Sequence, residues 1–328
     1  MVKPSRKTGV LTTGLLLLLV LPLLAEGLGQ PYLISLFSLI LIYALAAVSL
    51  DLLIGYGGMA SLGHGAFFGV GAYIVGILAF HYEQDTSLWL GLFPGTDNAL
   101  LAWPLAVAIS AGLAAAIGAV CLRTRGMHFI MITLAFGQML FFFFVSLEAY
   151  GGDDGLSLWS RNRLFSLDLG DDLSFYYLCL GLLLVFLYLC RRLVDSRFGR
   201  VIRGCKQNER RMQALGFPTY RYQLACFTLA GAGAGLAGAL IANQTEFVSP
   251  DLLHWTRSGE ILIMVLLGGT GTLFGPVLGA AALLLLEEVL AMFTEHWLVF
   301  LGPILVGVVL FARRGLYGLL VGVDKDDG

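Results

Sequence analysis

The chain has 328 residues, 58% of them hydrophobic and 13% charged, with a mean hydropathy of +0.84. A soluble domain is nearer half apolar and a quarter charged, so this composition excludes one, and the long apolar blocks mark a polytopic membrane protein. The net charge of −2 carries no message about partners, whereas the distribution of charge does.

The opening, MVKPSRKTGVLTTGLLLLLVLPLLAEG, is basic and then apolar, like a secretory signal. No small-residue cleavage site follows and further apolar blocks do, so it reads as a retained first helix. A crossing helix needs about 20 apolar residues. The expected spans are 9–27, 31–54, 60–80, 100–121, 127–147, 173–191, 222–243, 258–274, 276–293 and 296–312. Ten is the preferred count; the last three are short and run together, which leaves eight or nine open. The expected fold is all-α, one membrane domain over 1–328 with two related repeats, because no low-complexity linker divides the chain.

If the N-terminus is inside and every span crosses, 17 of the 20 Lys and Arg fall on inner segments, and only Arg161, Arg163 and Arg257 do not. The positive-inside rule predicts this asymmetry, so both termini are expected in the cytoplasm. Segments 81–99, 148–172 and 244–257 then face out.

From the turn after the second span into the third runs GGMASLGHGAFFGVGAY, Gly57–Tyr73, a glycine-rich stretch with a lone histidine. Irregular backbone at membrane depth is tolerated only where protein buries it or where it lines a wet cavity. Small residues four apart also let helices approach closely. Ser61, His64, Gly65 and Gly69 are therefore candidates for a helix seam or for the wall of a translocation route, two compatible readings. His64 is an intramembrane ionisable group, and near a span end it also suits a hydrogen-bonded cap. An echo appears later: GGMASL at 57–62 matches GGTGTL at 268–273. Paired glycine-interrupted segments of this kind point to a pathway between repeats, which adds Gly268, Gly269, Thr272 and Gly275 to the candidates. The sequence leaves open whether the repeat is parallel or inverted.

The longest inner segment, 194–221, has its own helical pattern. Val201, Ile202, Cys205, Met212 and Leu215 are its apolar positions, and Gly216 and Pro218 stop it. Such a helix suits either docking of a soluble partner or a basic interface with anionic lipid.

The five cysteines form no CxxC or metal-like spacing and read as small buried hydrophobes. There is no GxxxxGK[ST], GxSxG or HExxH motif, so no enzyme activity, cofactor, metal or nucleic acid is called for. Any ATP hydrolysis must come from a partner. Asp51, Glu260, Glu287 and Glu288 are the carboxylates an ion-coupled carrier would use.

Six blocks in order carry a family resemblance. They are 51–73 around the GGMASLGHG stretch, RGMHFIMITLAFGQML (125–140), GGDDGL (151–156), FGRVIRGCKQNERRMQALG (198–216), YRYQLACFTLAGAGAGLAGAL (220–240) and SGEILIMVLLGGTGTLFGPVLGA (258–280). From about 31 to 321 the chain resembles the inner-membrane permeases of branched-chain amino-acid ABC importers, most of all their M-type subunit. The resemblance implies a bacterial inner-membrane protein with four kinds of neighbour: the lipid bilayer, a second homologous permease, two cytoplasmic ATPase subunits and a periplasmic solute-binding protein. It implies ATP-driven alternating access. It also implies that 198–216 inserts into the ATPase, with Phe198, Gly199, Arg200, Asn208, Glu209, Ala214, Leu215 and Gly216 carrying the match. RRMQ at 210–213 departs from the small aliphatic residues common there and makes the helix more basic.

Overall fold

The computed structural model describes residues 14, 17–23, 26, 27, 29–88, 93–164, 169–293, 296, 299, 300, 302, 303, 307 and 315–321. Within the expected span 9–27, residues 14, 17–23 and 26–27 are helical. The remainder of that span, and most of 296–312, lie outside the described residues.

Ten helices carry the described fold. α1 (Pro31–Asp51) starts on a proline, whose fixed φ suits a first turn, and runs on through a π-turn at Leu52–Tyr56. α2 is His64–Glu83, and α3 (Ala99–Cys121) is capped by Asn98 Oδ1, which accepts from the Leu100 N–H at 3.0 Å. α4 is Met127–Val145, and α5 (Asp172–Asp195) is capped by Asp171. α6 (Arg197–Ala214) is the polar helix, followed by α7 (Thr219–Thr245), α8 (Trp255–Gly268), α9 (Gly275–Phe293) and α10 (Gly315–Val321). Two short antiparallel ladders join loops: β1 (Ser87–Leu88) with β2 (Phe93–Pro94), and β3 (Leu156–Ser157) with β4 (Phe247–Val248).

Seven of these helices are long and apolar enough to cross a membrane: α1 with its π-turn, α2, α3, α4, α5, α7 and α9. The fold is thus the expected all-α membrane protein. The expected span 258–274 differs. Its helix, α8, has 14 residues, about 21 Å at 1.5 Å per residue, which is short of the ~30 Å hydrocarbon core.

α7 is the centre. Its small residues admit three neighbours at backbone distance. Gly231 and Gly235 face Ala114 and Ser110 of α3, Gly233 faces Ser49 of α1, and Gly238 lies on the Phe68 carbonyl of α2. Gly71 of α2 in turn lies on the Gly235 carbonyl. In a bilayer such close packing replaces the hydrophobic drive between helices. By contrast, α4 exposes Met131, Met139, Phe142 and Phe143, as a helix bordering apolar surroundings does.

One arginine locks the loops at the end away from the basic segments. Arg161 is 9% exposed. It donates to Asn243 O (3.1 Å), Leu169 O (3.0 Å) and Asp172 Oδ1 (2.6 Å), and it lies 4.9 Å over the Phe175 ring. Beside it, Asn162 and Asn243 exchange hydrogen bonds, and Asn162 also accepts from Trp103 Nε1 at 3.3 Å. Burial pushes the neighbouring Asp97 carboxyl above its usual range, against the Asn162 hydrogen bond and the Arg163 charge.

Gly238→Ala sets a methyl into the Phe68 carbonyl and lowers stability by about 2 kcal/mol, the scale of overpacking. Gly112→Ala, inside α3 with a Cβ that meets nothing, does not lower the thermal midpoint in detergent, since alanine suits a helix interior better than glycine. Arg161→Ala costs about 1–3 kcal/mol by leaving the buried Asn243 and Leu169 carbonyls without their donor, and Arg161→Lys restores only part because one ammonium cannot serve three separated acceptors; folded yield and midpoint report both.

Candidate functional site

Two helices begin inside the membrane. Ser49 of α1 faces Gly233, halfway along the 27-residue α7. His64, the first residue of α2, places Nε2 2.8 Å from the Ser49 hydroxyl. That hydroxyl already donates to Ala46 O at 2.7 Å, so its proton is committed and His64 Nε2–H is the donor. α2 therefore starts at mid-depth, and residues 57–63 reach it without helix. Within that stretch Ser61 Oγ accepts from the Gly63 N–H at 3.3 Å, and Gly63 passes against the Thr133 backbone of α4.

α8 starts at the same level. The Gly65 N–H is an orphan donor of α2's first turn, and it donates to Ser258 Oγ at 2.8 Å. A Cβ at Gly65 would meet Ser258, and one at Gly69 would meet Leu253. Pro250, Leu252 and Leu253, which lead into α8, are buried, and the His254 ring is 5.1 Å from that of Phe141 on α4. Met59, Ser61 and Gly63 before α2 are buried as well, as irregular backbone at membrane depth requires, whereas Gly58 and Asp251 are exposed.

The echoed glycine turns meet each other. Gly268, Gly269 and Gly275 fold tightly enough that a Cβ at Gly268 would strike the Gly275 carbonyl, and Thr272 Oγ1 closes the turn on Gly269 O at 2.7 Å. Gly269 and Gly271 take φ of +110° and +76°, a region that favours glycine. The Gly271 N–H donates to Asp51 Oδ1 at 2.8 Å, and Gly55 lies against Gly271. Both turns lie at one end of the molecule, so the hairpins α1–α2 and α8–α9 point the same way. Asp51 Oδ2 is buried without a partner among the described groups.

The same junction holds the polar helix. Lys206 of α6 donates to Gly55 O at 2.6 Å, and its stem packs on Gly58. A cavity of about 240 Å³ opens beside it, lined by Gly58, Met59, Arg125, Phe129, Lys206 and Glu209 among others.

α6 itself is built from caps. Ser196 Oγ accepts from the Phe198 N–H at 3.2 Å, and the Phe198 ring rests 5.5 Å from Tyr222. Gly199 has no room for a side chain because the Val194 carbonyl is there. Arg200 projects into the open. Asn208 leaves the helix at φ −157°, ψ 96°, and its side chain recaps the chain on the Arg211 N–H at 3.0 Å. The last turn ends in a Schellman motif: Gly216 (φ +85°) donates to Gln213 O at 2.9 Å and Phe217 to Met212 O at 3.2 Å.

Two candidate positions differ from what the helical pattern predicts. Leu215 belongs by spacing to the apolar face of α6, yet it is 64% exposed, beyond the Asn208 kink, with Ala214, Gly216 and Phe217 around it also exposed. Glu209 turns inward: its Oε1 accepts from Arg125 (3.0 Å), Gln213 (3.2 Å) and Thr219 (3.2 Å). Val201, Ile202 and Cys205 are buried as the pattern expects. Nothing in the pattern singles out Ser49 or Ser258, lone serines in apolar or mixed surroundings. Lys206 stands there only as one charge among many.

The Asp51–Gly271 contact is separable by substitution. Asp51→Asn keeps an acceptor for the Gly271 N–H and retains folded yield. Asp51→Ala leaves that N–H unpaired and lowers stability by about 1–3 kcal/mol, read as the thermal midpoint in detergent.

Residues 32–309 match the family described as branched-chain amino acid transport system / permease component. The high-affinity branched-chain amino acid transport system permease proteins LivM of Salmonella typhimurium strain LT2 and Escherichia coli K12 are each 28% identical over 328 aligned positions, covering 91% of this chain and 74% of theirs. The autoinducer 2 import system permease protein LsrC of Yersinia pseudotuberculosis is 31% identical over 140 positions, 40% of each chain. No solved structure matches. The chain thus belongs to the branched-chain amino acid transport system permease family.

Proposed function

We propose that the chain forms a single permease domain, the membrane subunit of a binding-protein-dependent ABC importer for branched-chain or related amino acids, working by ATP-driven alternating access. Its partners on this reading are a second related permease, two cytoplasmic ATPase subunits and a solute-binding protein. The observation that carries the proposal is the tip of α6. Leu215 and Phe217 are 64% and 38% exposed among Arg210, Arg211 and Gln213, at the end of the molecule that holds most of the basic charge. Apolar side chains held there by a Schellman turn suit a groove in a soluble partner. α6 also reaches inward, through Lys206 to Gly55 and the two glycine turns. A push on the tip therefore reaches the level where α2 and α8 start. ATP supplies work in such a scheme by binding one state of the assembly more tightly than the other.

Orientation follows from charge. The basic end is cytoplasmic, which sets both termini inside a bacterial inner membrane. The branched-chain solute is supported by the LivM proteins, whose likeness runs over 91% of this chain. A second reading keeps the importer and changes the solute to urea, short amides or carboxylates. The likeness of 40% of this chain's length, at 31% identity, to an autoinducer 2 permease shows that related chains are named for other cargo.

The test is purification of the tagged chain from its native membrane. The expected eluate contains a second permease and ATPase subunits. Leu215→Asp removes the ATPase subunits while the membrane fold stays intact, because the tip touches none of the core. Glu209→Gln acts differently, loosening the Arg125–Thr219 hub and lowering coupling without releasing the partner at once. A chain that purifies alone and still transports in vesicles overturns the proposal in favour of an ion-coupled carrier.

A further inference from the structure

Three of the four carboxylates in the apolar blocks converge on one face. Arg257 Nη1 donates to Glu260 Oε2 at 2.8 Å and lies 3.5 Å from the Tyr43 hydroxyl. Glu287 of α9 stands within electrostatic reach of Arg257, Glu260 and Glu288, and Glu288 lies beside the Tyr32 hydroxyl. α1, α8 and α9 pack together here.

Depth makes this arrangement informative. Tyr43 is twelve residues into α1, about 18 Å along its axis. It is roughly one and a half turns from Ser49, which is level with the middle of α7. The cluster therefore sits inside the hydrocarbon core. Yet Arg257 and Glu260 side chains are 35% and 42% exposed. Charges facing lipid at that depth are expensive, so this face meets water or a polar ligand instead.

The chemistry is that of a zwitterion. The guanidinium bonds among the described residues all leave from Nη1, which leaves Nε and Nη2 to grip a carboxylate. No side chain caps α8, so its first-turn N–H groups add positive potential at the same spot. On the other side, one arginine faces Glu260 and Glu287 together, an excess of negative charge that an ammonium group would balance. We infer that Tyr43, Arg257, Glu260 and Glu287 form a substrate site in the membrane for a free amino acid, Arg257 taking the α-carboxylate and the two glutamates the α-ammonium. The inference rests on the importer reading and deepens it, by selecting zwitterions over urea or simple carboxylates.

The test uses the full complex in liposomes with its binding protein and ATPase. Thr256 lies one turn before Glu260 on the same helix face and is exposed, while all five native cysteines are buried. Thr256→Cys is expected to react with a membrane-impermeant methanethiosulfonate. Leucine slows the reaction several-fold, and the 2-oxo acid of leucine, which lacks the ammonium, does not. Arg257→Lys raises the KM for leucine uptake about tenfold with ATPase stimulation retained. Absence of labelling in a complex that imports leucine, or labelling that leucine leaves unchanged, overturns the site and leaves the importer reading standing. A complex that recruits no ATPase overturns the importer reading, and the site falls with it.

Discussion

Backbone amides cannot be left bare in lipid, and α2 starts with His64 and Gly65 buried inside the molecule. The Gly65 N–H bonded to Ser258 Oγ answers that constraint for α2. It satisfies an orphan donor of α2, and it fixes α8 at the same depth. Around it the rest is forced. Gly65 and Gly69 must lack side chains because the chain leading into α8 passes there. Gly63 passes the Thr133 backbone of α4, and Pro250–Leu253 pack on α2 and α4, because irregular backbone needs protein around it.

The same constraint explains why α7 is rich in small residues. A helix that must touch three neighbours at backbone distance has no space for branched side chains on any of those faces. Gly231, Gly233, Gly235 and Gly238 take them up in turn. The loops at the far end are then held by polar groups rather than by packing. Arg161 gathers three acceptors from three segments. Apolar packing fixes the middle of the molecule, and hydrogen bonds fix its rim.

Hydropathy makes most spans legible. The expected 100–121 and 127–147 stand beside Ala99–Cys121 and Met127–Val145, because apolar content and helix length rise and fall together in ordinary crossings. It is least informative at α8. Residues 258–274 are mostly apolar with one charge, Glu260, but the helix ends at Gly268, and hydropathy does not register where a backbone turns. The glycine echo marks both turns. It does not show that Gly55 and Gly271 touch, since their contact depends on the packing of α1 against α8. In α6 the charged pattern reads as one continuous helix, and the break at Asn208 is hidden. Asparagine between glutamine and glutamate is a weak breaker signal, and its side chain's bond to the Arg211 N–H recaps the chain beyond the kink. That kink is why Leu215 faces out and not in.

Lys206 reaches the membrane interior by binding a carbonyl of the main chain, not a side chain. Such a contact is blind to mutation at its inner end: Gly55 presents the same oxygen whatever else changes, and it cannot itself vary because Gly271 occupies the space of a Cβ. Drift is thereby confined to the outer end of the linkage. The exposed tip of α6 takes no part in that contact, so its side chains can change while the inner junction stays as it is. Sequence variation at the surface and constancy in the membrane core are thereby separated along one helix.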